Sequence, residues 1–256
     1  MKVASVQVEI RDDESKEERI SRVEKMLDSL TDHDLIILPE IWATGFFSFD
    51  RYQAEAEPLN GAFRERFAAK AKQLNAYFLA GSMVEQEGEH FYNTSLLFDP
   101  NGHLVGTYRK IHLFRYQSEE GKILSPGKDL GVFQTELGTV ALSTCFDLRF
   151  PELYRKQIDQ GATLFLVTSA WPLARLEHWN LLNRVRPLEN QTFLVSSNCV
   201  GLTRGFQLAG HSVVVNPRGV PIASGDETEM LIQTEFDLAQ VKEIRESFPQ
   251  LTCRML

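Results

Sequence analysis

Residues 140–152 read VALSTCFDLRFPE, a short apolar run that ends in a cysteine and then becomes charged. The run Val140–Thr144, followed by a helical pattern from Pro151, predicts a buried strand that leads into a helix. At the exit of that strand Cys145 would be held rigidly and would still face a cleft, as a nucleophile requires. A free cysteine is more often a small buried hydrophobic residue, so other residues must decide between the two interpretations.

The alternation of strands and helices seen in this stretch recurs along the chain, which predicts an α/β fold of packed layers. The predicted strands cover residues 3–8, 35–38, 77–83, 92–99, 103–110, 139–144, 163–168, 192–198, 211–216 and 231–237. The predicted helices cover residues 14–29, 62–73, 151–160 and 176–190. Pro187 lies inside the last of these, where a proline usually kinks or ends a helix. No linker composition divides the chain, so we expect one domain over residues 1–256.

The overall composition argues against several classes of protein. The chain has 256 residues, a formal net charge of −8 and no clusters of Lys and Arg, which argues against a nucleic-acid-binding surface. No apolar segment is long enough to cross a bilayer, and the amino terminus lacks the pattern of an export signal. The three cysteines, Cys145, Cys199 and Cys253, are odd in number and far apart, so a disulfide framework is not expected. We therefore expect a cytoplasmic protein that binds neither nucleic acid nor membranes.

Two more reactive side chains stand where predicted strands end. Glu40 follows the apolar run Leu35–Pro39, and Lys110 follows Thr107–Arg109. A lone Glu or Lys in such a place is usually a solvated group. Groups at several strand exits can nevertheless converge on one cleft, so Glu40 and Lys110 are more informative together with Cys145 than alone.

These three side chains supply the groups that amide hydrolysis needs. Cys145 would be the nucleophile, and Lys110 would favour the thiolate and the tetrahedral oxyanion. Glu40 would accept the thiol proton, pass it to ammonia and then activate water against the thioester. The backbone N–H of Phe146, the residue after the nucleophile, would complete the oxyanion hole.

Segments around these residues resemble those of the nitrilase superfamily of carbon–nitrogen hydrolases. The matching segments are Leu38–Glu40, Tyr108–Phe114, Cys145–Glu152, Arg186–Gln191 and Gly210–Gly219. The resemblance implies a catalytic triad of Glu40, Lys110 and Cys145 in a four-layer α-β-β-α sandwich, with a homodimer expected by analogy. Two positions depart from the family pattern, because Phe146 replaces a frequent Tyr and Pro187 replaces a usual Ala.

The superfamily often has a second glutamate near the lysine, where it helps to position the substrate and the attacking groups. Glu119 and Glu120 compete for this role. Counting back from the family-like segment Leu124–Gly127 favours Glu120, whereas counting forward from His112 favours Glu119. We prefer Glu120, and the other glutamate is then a solvated loop charge.

Two segments point to a particular substrate. Leu38–Phe46 and Ala170–Trp179 resemble those of bacterial ω-amidases, which hydrolyse the terminal amide of 2-oxo acids such as 2-oxoglutaramate. Trp171 is expected at the wall of the pocket, although a tryptophan is more often part of a core. A substrate carboxylate needs a positive partner, and Arg175 and Arg204 lie in loops that would supply it.

No metal or cofactor is expected. His178 and His211 are lone histidines without an i,i+4 partner, and the triad works without a metal ion.

Two other functions stay open at this point. The same triad would serve a nitrilase or an amidase for another small substrate, including deaminated glutathione. A binding module that kept the fold and lost the chemistry is a third hypothesis, and the intact Glu40, Lys110 and Cys145 count against it.

Overall fold

The computed structural model describes residues 1–116 and 118–255. Within them the strands are β1 (Lys2–Gln7), β2 (Leu35–Ile37), β3 (Tyr77–Glu87), β4 (His90–Phe98), β5 (Leu104–Arg109), β6 (Gly131–Thr135), β7 (Gly138–Thr144), β8 (Leu164–Ser169), β9 (Phe193–Asn198), β10 (Val200–Thr203), β11 (Phe206–Ala209), β12 (Val213–Val215), β13 (Pro221–Ser224) and β14 (Met230–Glu235). The α-helices are α1 (Lys16–Leu27), α2 (Tyr52–Glu55), α3 (Ala62–Leu74), α4 (Glu120–Ile123), α5 (Pro151–Asp159), α6 (Leu176–Asn190) and α7 (Ala239–Ser247). None of the helices in these two ranges combines the length and apolar character needed to cross a membrane.

The strands form two six-stranded sheets of matching design. The first has the order β14-β1-β2-β3-β4-β5 and the second the order β13-β12-β9-β8-β7-β6. In each sheet three successive strands run parallel, β1-β2-β3 and β7-β8-β9, and the outer strands pair antiparallel. Every residue of β2 and β8 is buried, as expected for strands that are covered on both faces.

Alternate side chains along a strand point to opposite faces of its sheet and pack into different layers. In β1, Val6 belongs to the core under α1 and α3, whereas Val3 belongs to the core between the two sheets. On the other side, Phe165 of β8 packs with Tyr154 of α5 and Trp179 of α6. The layers are therefore helix, sheet, sheet and helix, and the predicted α-β-β-α sandwich is confirmed.

The predicted elements correspond to observed ones, with boundaries that differ by a few residues. The helix predicted over 14–29 covers Lys16–Leu27, because Ser15 caps it and pairs with Glu18 in a capping box. The helix α6 continues through Pro187 to Asn190, so this proline does not end it. The sequence patterns missed the strands β6, β10, β11 and β13 and the helices α2, α4 and α7. All of these except α7 have no more than five residues, and α7 lies mostly at the surface.

The parallel arrangement brings several strand ends to one edge of the sandwich. Glu40 lies just after β2, Cys145 directly after β7, and Lys110 directly after β5. The backbone N–H of Glu40 in the first sheet donates to the carbonyl of Ser169 at the end of β8 in the second sheet, at 3.3 Å. The two sheets therefore meet at their carboxyl ends, where an α/β fold usually places its site.

Candidate active site

Cys145 directly follows β7 and is the first residue of a short 3₁₀ helix, Cys145–Arg149, so the chain turns sharply at this residue. Its φ of +47° lies in the left-handed region, which costs a residue with a side chain about 1–3 kcal/mol and persists only where the surroundings enforce it. The side chain is 7% exposed and lines the floor of a cleft. Phe146 is the second residue of the 3₁₀ helix, so its N–H is among those that have no partner within the helix.

The buried carboxylate of Asp147 fixes this turn. Its Oδ2 accepts from the backbone N–H of Thr144 at 2.9 Å and from the Tyr108 hydroxyl at 2.7 Å. Its Oδ1 accepts from the backbone N–H of His112 at 3.0 Å and lies 2.7 Å from the imidazole Nδ1 of the same residue. Asp147 thus connects the end of β5 to the turn after β7. These contacts fix the positions of Lys110 and Cys145 relative to each other.

Lys110 is completely buried between two carboxylates. Its Nζ lies 2.8 Å from Oε1 of Glu40 and 2.8 Å from Oε1 of Glu120, and both of these side chains are also fully buried. Burial opposes the charge on the amine, but the attraction of Glu120 and Glu40 outweighs it and raises the pKa of Lys110. A cation is therefore fixed at the base of the site.

Asn93 is a further member of this network, and the sequence patterns did not identify it. Its Nδ2 donates to Glu40 at 2.8 Å and to Glu120 at 3.3 Å. Thr94 of β4 pairs with Arg109 of β5. This register places Asn93, the residue before Thr94, beside Lys110, the residue after Arg109. The backbone N–H of Lys110 donates to the carbonyl of Asn93 at 2.9 Å. Asn93 and Lys110 thus hold the two carboxylates together.

The hydrogen bonds of Glu40 leave it able to act as a base. Its Oε1 accepts from Lys110 and Asn93, whereas Oε2 accepts, among the residues that the structure describes, only from the backbone N–H of Ala170, at 2.9 Å. A carboxylate has about four acceptor positions, so one stays free on Oε2. The next residue, Ile41, has a φ of +40°, and its N–H donates to the Ser82 hydroxyl at 3.0 Å. The backbone directly after Glu40 is thus held in a strained conformation.

The thiol of Cys145 is held in its neutral form. Burial raises the pKa of Cys145, the Glu40 carboxylate raises it further, and the Lys110 ammonium only partly opposes these effects. The raised pKa favours the protonated thiol at neutral pH.

The structure distinguishes the two adjacent glutamates. Glu120 is fully buried on Lys110, and its Oε2 accepts from the backbone N–H of Phe114 at 2.6 Å. Glu119 is half exposed and pairs with Lys122 at 2.8 Å on the surface. Burial raises the pKa of Glu120 against the opposing effect of Lys110, and the charge of Glu40 raises it further. Glu120, not Glu119, therefore lies in the site.

A cleft with a cavity volume of about 120 Å³ opens above the thiol. Its walls are mainly aromatic, with two arginines among them. The lining residues are Phe46, Phe47, Phe114, Tyr116, Cys145, Phe146, Arg149, Ala170, Trp171, Pro172, Arg175 and Phe206.

Two cations face this cleft. Arg175 was expected there from the sequence, whereas Arg149 was not proposed as a ligand. The guanidinium carbon of Arg149 lies 4.7 Å from the centre of the Trp171 ring, and that of Arg175 lies 5.6 Å from the centre of the Phe114 ring. Within the described ranges neither arginine forms an ion pair with a carboxylate. Burial lowers the pKa of Arg149, and the nearby Arg175 lowers it further, while Cys145 opposes both. An anionic ligand would relieve this repulsion.

The structure brings Trp171 to the cleft but not Arg204. Trp171 is almost fully buried, and its indole N–H donates to the carbonyl of Arg175 at 2.8 Å. Arg204 is not among the cleft-lining residues, and its guanidinium pairs instead with Asp50 at 3.1 Å. Arg204 therefore contacts neither the thiol nor the cleft in this structure.

The two histidines considered as metal ligands lie in different surroundings. His178 Nδ1 is 3.1 Å from the guanidinium of Arg149, and His211 Nε2 is 3.8 Å from Glu227. In the part of the chain that is described, no group of three or more His, Cys, Asp and Glu side chains is arranged to hold a metal ion. The absence of a metal and of a cofactor stays a prediction.

Known proteins resemble this chain over almost its full length. The family model described as carbon-nitrogen hydrolase matches residues 2–246. A 2-oxoglutaramate amidase of Paenarthrobacter nicotinovorans is 39% identical to this chain, and the match covers 98% of this chain and 88% of the relative. A 2-oxoglutaramate amidase of Bacillus subtilis is 34% identical, and the match covers 91% of this chain and 89% of the relative. A solved carbon–nitrogen hydrolase superfamily protein of Xanthomonas campestris, with an arsenic adduct in its active site, has a TM-score of 0.93 at 28% identity and covers 100% of this chain and 97% of that chain. The range matched by the family model includes every residue of the cleft.

Proposed function

The chain belongs to the carbon–nitrogen hydrolase family, and on that premise we propose that it hydrolyses the terminal amide of small 2-oxo acid amides such as 2-oxoglutaramate. The products are the dicarboxylic acid and ammonia, and the intermediate is a thioester on Cys145. The observation that carries this proposal is the buried Lys110 amine, held at 2.8 Å from both Glu40 and Glu120 beneath a cleft that Cys145 lines.

In the first half of the reaction, Cys145 Sγ attacks the amide carbon while its proton passes to Glu40. The raised pKa of Cys145 supports this order, since the thiol keeps its proton until attack begins. Lys110 and the N–H of Phe146 stabilise the oxyanion of the tetrahedral intermediate. Glu40 then gives the proton to the departing nitrogen, ammonia leaves, and the thioester forms.

In the second half, a water molecule attacks the thioester carbon. Glu40 accepts a proton from this water, the same oxyanion donors act again, and the C–S bond breaks. The sulfur takes back a proton, so Cys145 and Glu40 return to their starting states and the carboxylic acid is released. Glu120 and Asn93 keep Lys110 and Glu40 in position through both halves.

The free carboxylate of such a substrate accounts for the two arginines of the cleft. Arg149 and Arg175 carry charges that repel each other and that have no carboxylate partner among the described residues. Their guanidinium groups suit bidentate hydrogen bonds to a carboxylate. We therefore propose that Arg149 and Arg175 bind the 2-oxo acid end, in place of the pair Arg175 and Arg204 expected from the sequence.

The proposed activity predicts a clear order of substrates. We expect release of ammonia from 2-oxoglutaramate at a higher kcat/KM than from pentanamide, from the corresponding nitrile or from deaminated glutathione. Adding hydroxylamine should trap the acyl group as a hydroxamate, which reports the substrate and the thioester together. Higher turnover of the nitrile or of deaminated glutathione would favour the alternatives named above, and no turnover of any of them would contradict the hydrolase assignment.

Removing one arginine should affect only substrates that carry a carboxylate. We expect Arg175→Met to lower kcat/KM for 2-oxoglutaramate by about 10–100-fold, since a hydrogen bond to a charged group contributes about 1.5–3 kcal/mol. 4-Oxopentanamide is the matched control, because it keeps the chain length and the ketone and has a methyl group in place of the carboxylate, and its slower turnover should stay unchanged. An equal loss on both substrates would show that Arg175 supports the cleft and does not bind the acid.

Two further expectations from the sequence also stay proposals, namely a cytoplasmic location and a homodimer. Exposed apolar side chains on α6, on β13 and directly before β13 support the homodimer, because a second copy would remove them from water. They are Leu181, Leu188, Val220 and Ile222.

A further inference from the structure

A small hairpin, β10–β11, rises beside the cleft. Its two-residue turn, Arg204–Gly205, has φ values of +49° and +81°, the pattern of a type I′ turn that keeps two strands tightly paired. At its base, the carbonyl of Val200 accepts from Ile10 at 2.8 Å, and the N–H of Ala209 donates to the carbonyl of Trp171 at 2.9 Å. The hairpin is therefore built onto the wall of the cleft.

The tip of the hairpin is held by two aspartates. The Thr203 hydroxyl and the Arg204 N–H donate to Asp12 at 2.7 and 2.8 Å. The Arg204 guanidinium pairs with Asp50 at 3.1 Å, in the segment that follows Phe47. The contact with Asp50 joins the hairpin to the segment that carries Phe47, and it gives Arg204 a role other than substrate binding.

Between these two attachments Phe206 stacks on Phe47. The ring centres are 4.2 Å apart and the ring planes differ by 10°, and both rings line the cleft. Phe206 is 47% exposed, whereas Cys145 at the floor of the cleft is 7% exposed. The stack therefore lies at the outer side of the cleft, where a large apolar side chain gains little from burial.

We propose that Phe206, stacked on Phe47, determines specificity by limiting the length of the acyl chain that fits above Cys145. This inference rests on the proposed function, since the acyl chain is bound to the sulfur. A chain attached at the floor of the cleft extends toward its mouth, and the paired rings meet it there. The ties to Asp12 and Asp50 keep the rings from moving aside, so extra methylene groups have no space.

The test is a series of dicarboxylic acid monoamides with four to seven carbons, assayed by ammonia release. We expect kcat/KM of the wild-type protein to fall beyond five carbons, and Phe206→Ala to raise the six- and seven-carbon values about tenfold or more relative to the five-carbon value. One methylene in an apolar pocket typically changes kcat/KM by about 10–200-fold. Leu202→Ala is the matched control, because Leu202 is exposed on the same hairpin and does not line the cleft, and it should leave the profile unchanged.

Alkylation of Cys145 separates this inference from the proposed function. We expect N-alkylmaleimides with longer chains to react with the thiol faster in Phe206→Ala than in the wild-type protein, whether or not any amide is hydrolysed. Asp50→Asn, which weakens the tie to Arg204 without removing the ring, should shift both profiles in the same direction by less. Unchanged chain-length profiles in Phe206→Ala, or an equal shift in Leu202→Ala, would overturn the inference. Loss of all amide turnover with a shifted alkylation profile would instead contradict the proposed function alone.

Discussion

Replacing Cys145 by alanine is expected to lower ammonia release from 2-oxoglutaramate by about 10⁴–10⁶-fold, as removal of a nucleophile does in other covalent hydrolases. The physical reason is that no other thiol can take its place. Cys199 is fully buried and its sulfur faces the backbone carbonyl of Glu40 at 3.7 Å, and Cys253 is exposed near the carboxyl end of the chain. Steady-state ammonia release, together with the mass of the acylated protein, measures the effect.

Cys253→Ala is the matched control for this experiment. It removes a thiol from the surface and should leave both turnover and the acyl adduct unchanged. Transfer of the acyl group to hydroxylamine by the Cys145→Ala protein would contradict the proposed thioester. The neutral resting thiol adds a second expectation, since its raised pKa means that alkylation of Cys145 should keep accelerating as the pH rises above neutrality.

Replacing Lys110 by methionine should remove activity and also destabilise the protein. The change leaves Glu40 and Glu120 buried without their cation, and breaking a buried ion pair typically costs about 3–5 kcal/mol. Urea unfolding should therefore show a lower free energy of unfolding, and turnover should be lost because the oxyanion has lost its charged donor. Lys122→Met is the control, since Lys122 is 72% exposed and should change stability by no more than about 0.5 kcal/mol.

A double variant separates stability from catalysis. Lys110→Met with Glu120→Gln removes one of the two uncompensated carboxylates, so it should recover part of the lost stability. It should not recover turnover, because the cation beside Cys145 is still missing. A double variant as unstable as Lys110→Met alone would show that the two side chains are not energetically coupled, and recovered turnover would contradict the role proposed for Lys110.

The short hairpin β10–β11 and the buried Asn93 illustrate what sequence patterns could not reveal. Each strand of the hairpin has only four residues, which is too short for a clear alternation of apolar and polar positions. Asn93 is separated by 53 positions from Glu40, and only the register of β4 against β5 brings it to the site. Asp147 and Arg149 stand beside Cys145 in the chain, and that position was the one available signal for them.

Counting residues could not show whether Glu119 or Glu120 points into the site, because this depends on how helix α4 is rotated about its axis. Both residues lie at the start of the short helix α4, where each successive residue turns by about 100° around the axis. The packing of that helix against Phe114 and Lys110 decides which carboxylate points inward. Tertiary packing also decides the orientation of Arg204. The sequence placed this residue in a loop, as observed, but its side chain pairs with Asp50.

The sequence by itself determined the layered α/β fold and the three strand exits that carry Glu40, Lys110 and Cys145, because strand and helix periodicity are local properties of the chain. Only the tertiary structure decided which other side chains surround them, how deeply the thiol is buried and which arginines reach the cleft. Those features depend on strand register, on the packing of two sheets and on the orientation of short helices. All three are set by contacts between residues that are far apart in the sequence.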